Sequence, residues 1–81
     1  MTVQVGKITH YFNNIGVAVV AVSDLIKVGD RVKISGHDKE YEQEITSMQI
    51  DKKQIPQAKK GDSVGLKVEQ QVKEGDLVYR E

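Results

Sequence analysis

Cysteine is absent from the 81 residues, and that absence alone removes several classes of protein. Without it no disulfide can staple the fold, no Cys-based zinc site can form and no thiol nucleophile is available. Proline occurs once, as Pro56. Neither sign of charge is in excess, with 12 basic residues against 12 acidic ones, so no long-range field draws in a polyanion and nucleic-acid binding would need a local patch. Long apolar runs are missing too: the longest uncharged one, Ile15 to Ser23, falls far short of the roughly 20 residues of a membrane span. The start Met1-Thr2-Val3-Gln4 has neither the basic residues nor the apolar stretch of a signal peptide, so the expected location is the cytoplasm.

Catalytic equipment is equally scarce. There is no Gly-x-x-x-x-Gly-Lys-Ser/Thr loop to cradle a nucleoside triphosphate, and Asp62-Ser63-Val64-Gly65 without such a loop reads as a turn. His10 and His37 lie 27 residues apart with no His-x-x-x-His spacing, which gives a metal nothing to complete its coordination. No serine sits in a Gly-x-Ser-x-Gly elbow. Asp38, Glu40, Glu42 and Glu44 alternate with Lys39, Tyr41 and Gln43, the pattern of a solvated acidic face that protects a sheet edge rather than of an acid/base pair. The expectation is a non-enzyme with no cofactor, no metal and no membrane partner, acting by binding.

What the chain does have is short-range alternation. Apolar residues recur mainly at spacing two, in short runs divided by Gly, Asp and Asn, which is the period of half-buried strands. The run Gly16 to Val22 is dense in β-branched residues suited to a pleated, two-sided environment, and Asn13-Asn14-Ile15-Gly16 before it is hairpin chemistry. Arg31 to Ile34 alternates, Ser35-Gly36-His37-Asp38 reads as a second turn, and Tyr41 to Ile50 reads as one long strand. Neither face of that strand is purely apolar, so a bulge or twist must redistribute its side chains. Pro56 places Gln54 to Ala58 at an edge or in a crossing segment, because it has no amide hydrogen to donate to a ladder. Ser63 to Val68 and Leu77 to Tyr79 supply the last strands.

One pattern occurs three times: Val28-Gly29-Asp30, Lys60-Gly61-Asp62 and Glu74-Gly75-Asp76, each leading into Val or Leu. Glycine supplies an unusual backbone angle and the carboxylate can accept from nearby amides, so each reads as a corner that launches a strand. The copies are separated by 32 and 14 residues, unequal spacings that argue for corners rather than a tandem repeat. The expected architecture is a single all-β domain over residues 1–81: a closed, six- to seven-stranded antiparallel Greek-key-type barrel, since closure removes exposed edges.

Leu25 to Gly36, Thr46 to Gln49, Ala58 to Val68 and Val72 to Tyr79 together resemble, in order and spacing, the second domain of translational GTPases of the elongation factor Tu type. A similar barrel ends some collagenase-like peptidase-family proteins, a group that includes RNA-modifying enzymes. The resemblance implies a translation-protein β-barrel that contacts the aminoacylated end of tRNA or ribosomal RNA. The chain departs from that pattern at Ser47, where the factor has an acidic residue, and in the apolar Val20, Ala21 and Val22, where polar groups help to form its pocket.

Two contact regions stand out. Lys52, Lys53, Lys59 and Lys60 gather in the second half, away from the acids of the hairpin before them, and lysines grouped in this way neutralise phosphates. Tyr11, Phe12, Asn13 and Asn14 form an aromatic turn able to stack on a base. The first expectation is therefore a module that contacts tRNA, ribosomal RNA or the translation or RNA-modification machinery through both regions. The second is a protein–protein scaffold that works in trans on an enzyme or a GTPase, using apolar loop residues such as Ile15 or Leu25-Ile26.

Overall fold

The computed structural model of the chain describes residues 3–36 and 40–80. All of its described regular structure is strand: β1 (Val3–Phe12), β2 (Val17–Val22), β3 (Ile26–Lys27), β4 (Arg31–Ser35), β5 (Glu40–Glu44), β6 (Met48–Ile50), β7 (Lys53–Gln54), β8 (Gln57–Ala58), β9 (Ser63–Lys67) and β10 (Leu77–Arg80). Every pairing is antiparallel. Eight strands make one sheet in the order β5-β4-β10-β1-β2-β9-β6-β7, and β3 with β8 forms a separate two-stranded ribbon.

The inner face follows from the alternation. Ala18, Val20 and Val22 of β2 point inward and are buried, as are Val32 and Ile34 of β4 and Val64 and Leu66 of β9. In β1 the alternation is interrupted, because its register against β2 shifts between Ile8 and His10. The extra residue, Thr9, lets Ile8 stay in the core and still sends Tyr11 inward and Phe12 outward.

The segment expected as one strand over Tyr41–Ile50 is broken at residues 45–47. Gln43 and Ile45 point inward at odd positions and Met48 at an even one, and all three are buried, so a parity change is required between them. The break is the redistribution that the mixed faces demanded. The β1–β2 hairpin closes as expected, with Gly16 at φ 68° and its amide donating to the Phe12 carbonyl at 3.0 Å. In the β4–β5 hairpin Ser35 pairs with Glu40, while His37, Asp38 and Lys39 of the expected turn lie outside the described residues. Pro56 lies between β7 and β8 as a crossing segment, its carbonyl accepting from the Val28 amide at 3.0 Å.

Closure of the sheet into a barrel, with six to seven strands, is not what the ladder shows. Among the described residues the sheet ends on β5 and β7, which do not pair with each other, so its hydrogen bonding is open. The seam beside β5 is bridged instead by a side chain. Gln43, the one polar residue in the buried set among the described residues at 3% exposure, donates from Nε2 to the Lys67 carbonyl at 2.9 Å and accepts at Oε1 from the Glu69 amide at 3.0 Å. A side-chain amide thus occupies the place of a strand-to-strand hydrogen-bond pair.

The three Gly-Asp turns are one structure repeated, and a lysine precedes each: Lys27 to Asp30, Lys59 to Asp62 and Lys73 to Asp76. The glycines sit at φ 99°, 97° and 94°, the region a type II turn requires at its third position. In each corner the Asp amide donates to the Lys carbonyl at 3.0, 3.0 and 3.1 Å. Its carboxylate accepts from the Lys amide at 3.0, 3.0 and 2.9 Å. Each corner also docks alike. The glycine amide donates to the carbonyl of a buried aliphatic residue, Ile45, Val22 and Ile8 in turn, and that residue's amide returns a bond to the Asp carbonyl at 2.8 Å in all three. No described helix is long and apolar enough to cross a membrane.

Candidate functional site

The lysines come together from two turns. β6 runs antiparallel to β9, with Met48 opposite Leu66 and Gln49 opposite Gly65, so the tip Asp51-Lys52 beyond Ile50 reaches the Ser63 end of β9. The corner Lys59 to Asp62 runs directly into Ser63. Lys52, Lys53, Lys59 and Lys60 are all exposed at this end, and none of them takes part in the ion pairs among the described residues. The carboxylates beside them are Asp51 and Asp62, the latter already engaged with the Lys59 amide.

The tip is strained. Asp51 and Lys52 have φ 52° and 66°, so a two-residue hairpin turn that favours Asn-Gly is built here from side chains that tolerate positive φ less well.

The aromatic turn is elsewhere. Phe12 pairs with Val17 and Val17 with Lys67, at the opposite end of β9 from Ser63. Four residues along β2 separate the two rows, about 13 Å at strand rise. Tyr11 is turned inward onto the core, Phe12 is 42% exposed, and Asn13 and Asn14 are exposed in the turn. The two expected contact regions therefore lie at opposite ends of the sheet. Register decides this, and spacing in the sequence carries no trace of it.

Phe12 sits beside an imidazole–carboxylate contact. His10 Nδ1 lies 3.2 Å from Glu74 Oε2, and the His10 ring meets Phe12 edge-on at 4.4 Å between centroids. Burial pushes the Tyr41 hydroxyl from 10.0 up to about 12, opposed by its bond to the Gln70 carbonyl and aided by Tyr11, Glu69 and Asp76 nearby. The raised value means the fold favours neutral Tyr41. Its stabilising contribution is complete below pH 10 and is lost as pH rises towards 12. In a spectrophotometric titration a tyrosine is expected to ionise above pH 10, towards about 12, and Tyr41→Phe is expected to remove that late step and flatten the fall in stability over this range.

On β5, Glu42 pairs with Arg31 at 3.3 Å and Glu40 with Lys33 at 3.2 Å, which fits the edge-protecting role expected of these acids. Lys33, Ser35, Glu40 and Tyr79 line an open polar depression on the same outer face. Ser47 Oγ meets Gln54 Oε1 at 3.3 Å. Among the described residues no group of three or more His, Asp or Glu could hold a metal ion.

The sequence reading missed the outer side of β2. Val17, Val19 and Ala21 point outward and are half-buried, beside Gly65, where an added Cβ would sit 3.3 Å from Val17 Cγ1. The signal is present in Gly16 to Val22, a run apolar at odd and even positions alike.

An all-β domain, antiparallel throughout, with its charged and apolar surfaces set apart, is what fold and surface define. No protein-family model matches the chain. It is 35% identical over 78 residues to an uncharacterized protease, MJ0090, of Methanocaldococcus jannaschii, covering 95% of this chain but only 19% of that protein's length. Its fold is that of the C-terminal domain of a putative U32 peptidase of Geobacillus thermoleovorans: the TM-score is 0.91 at 20% identity, over 96% of this chain and 91% of that one. The selenomethionine variant of the same domain gives 0.90, also at 20% identity, over 98% and 99%. These likenesses fall on the peptidase-family side of the resemblance, and neither of the two proteins is named as a translational GTPase.

Proposed function

We propose that the chain is a non-catalytic accessory domain that binds the sugar-phosphate backbone of RNA in the service of an RNA-modifying or translation enzyme. The observation that supports this reading is the convergence of Lys52, Lys53, Lys59 and Lys60 from two separate turns at one end of the sheet, with no ion-pair partner among the described residues. Lysines without an aromatic neighbour neutralise phosphates and read no bases, so the contact is sequence-independent and strongly salt-dependent. The strain at Lys52 fits it as well, since a residue kept at positive φ where glycine would be easier points to a use for its side chain. The accessory role is supported by the likeness to the C-terminal domain of a putative peptidase and by the small share of the longer relative that the chain spans.

The test is a titration of short RNA at several salt concentrations. Wild type is expected to bind with Kd of roughly 10⁻⁴–10⁻⁶ M at moderate salt, and Lys52→Gln with Lys60→Gln to reduce the slope of log K against log salt by about 1–2. Phe12→Ala is expected to leave it unchanged. Lys52→Gly separates binding from stability, because relief of the positive φ is expected to stabilise the fold by up to about 1 kcal/mol while affinity falls. Absence of any shift at low salt with about 100 μM protein, a concentration that covers weak non-specific binding, would sink the reading.

A further inference from the structure

A second surface, independent of the lysine end, lies on the outer face of β1, β2, β9, β6 and β7. Its rows follow from register. Phe12, Val17 and Lys67 form one, His10, Val19, Gly65, Gln49 and Gln54 the next, and Lys7, Ala21 and Ser63 the third. The middle of this face is apolar: Phe12, Val17, Val19 and Ala21 run along it, and Gly65 keeps it flat where any side chain would stand out. β2 is apolar on both faces. That is how a strand covered on both sides is written, whereas an antiparallel strand with a wet outer face alternates with polar residues. On the outer side Val17, Val19 and Ala21 are only half-buried and Phe12 is 42% exposed.

Charge and size choose the occupant. Lys7 and Lys67 edge the strip, His10 meets Glu74 at 3.2 Å, and none of the outward positions in the three rows is a carboxylate. A second copy docking through the same face would set these cations against themselves, because a two-fold contact is self-complementary. The face spans roughly 19 Å across five strands and 13–17 Å along them, on the order of 300 Å². That is well short of the roughly 800 Å² per partner of a free-standing complex, but within the roughly 300–750 Å² per side of contacts between domains of one chain. A small interface suffices where a tether keeps the partner at high effective concentration. In the M. jannaschii relative the matched segment is 19% of one longer chain, so covalent linkage would supply that effect.

The geometry points to this face as the docking surface for the larger, enzyme-bearing part of a protease-family protein, through an apolar patch rimmed by carboxylates on that part. The domain then has two working faces, one seated on protein and one turned towards a polyanion.

The test is side-chain oxidation footprinting of this chain alone and of the M. jannaschii relative with its matched segment replaced by this chain. Oxidation of Phe12 is expected to fall at least five-fold in the full-length protein, while acetylation of Lys52 and Lys60 stays unchanged. Val19→Asp in the full-length protein is expected to restore Phe12 labelling, with buried Met48 unoxidised as the sign of an intact fold. Should Val19→Asp expose Met48, Lys67→Glu, which alters only the rim, takes its place and must give the same restoration. Phe12 labelled equally in both proteins, or protection that survives these substitutions, overturns the proposal.

Discussion

Gln43→Leu is expected to lower the stability of the domain by roughly 2–4 kcal/mol, a large effect for a substitution that adds apolar bulk to a buried site. The side chain holds two backbone groups, the Lys67 carbonyl and the Glu69 amide, at a seam where the ladder supplies no strand partner. Leucine fills much of the same space and leaves both groups without a partner away from water, at roughly 1–3 kcal/mol each. Part of that is offset by the transfer of an apolar side chain into the core. Urea unfolding gives the loss directly, and amide exchange should show faster opening at Glu69 than at β2. A loss below about 0.5 kcal/mol, within the range of neutral surface changes, would mean that water or a shifted backbone replaces the bridge and that the seam is held by packing alone.

The second large effect concerns the corners. Gly29, Gly61 and Gly75 have no atom within 4 Å of an added Cβ, so alanine meets no clash there and its cost lies in the backbone angle alone. With φ between 94° and 99° that cost is roughly 1–2 kcal/mol at each corner. Because the three corners share one geometry, their losses should agree within about 0.5 kcal/mol, and because they share no partner the triple variant should lose close to the sum. The sum, roughly 3–6 kcal/mol, is comparable to the whole stability of a small domain, so the triple variant is expected to be substantially unfolded at 37 °C. Unequal single-site losses, measured by chemical denaturation, would show that the corners are not equivalent and that docking on Ile8, Val22 and Ile45 differs in strength.

The fold was legible to different depths in different places. The β1–β2 hairpin was fully readable, because Asn13-Asn14-Ile15-Gly16 states the turn and Gly16 to Val22 states the strand. The corners were readable as corners, but their docking was not, since nothing local tells Gly75 that Ile8 will receive its amide. Tyr41 to Ile50 gave its conflict but not its solution. Mixed faces required an irregularity, and only the competition of Ile45 and Met48 for one core placed it at residues 45–47. Closure was expected from the resemblance and from the need to protect edges. The ladder stays open between β5 and β7, and Gln43, an unremarkable residue in the sequence, spans the seam at β5.

The candidate site shows the same division. Composition and local pattern found the lysines and the aromatic turn as separate clusters and correctly read β5 as a charged edge. How far apart the two clusters lie was not legible, because register alone places them at opposite ends of β9. The outer strip on β2 was overlooked for a related reason: apolar residues on both faces of a strand look the same in sequence whether the second face is covered by the fold or left for a partner.

By itself, then, the sequence determined the all-β class, the three glycine-aspartate corners and the lack of a cysteine or phosphate-loop chemistry, because each is written in neighbouring residues through period two, positive φ or side-chain identity. Only the tertiary structure decided how the sheet's seam is bridged, where the long strand breaks and which surface residues share a face. Those depend on register between strands far apart in the chain, and register is set by what fits together in one core.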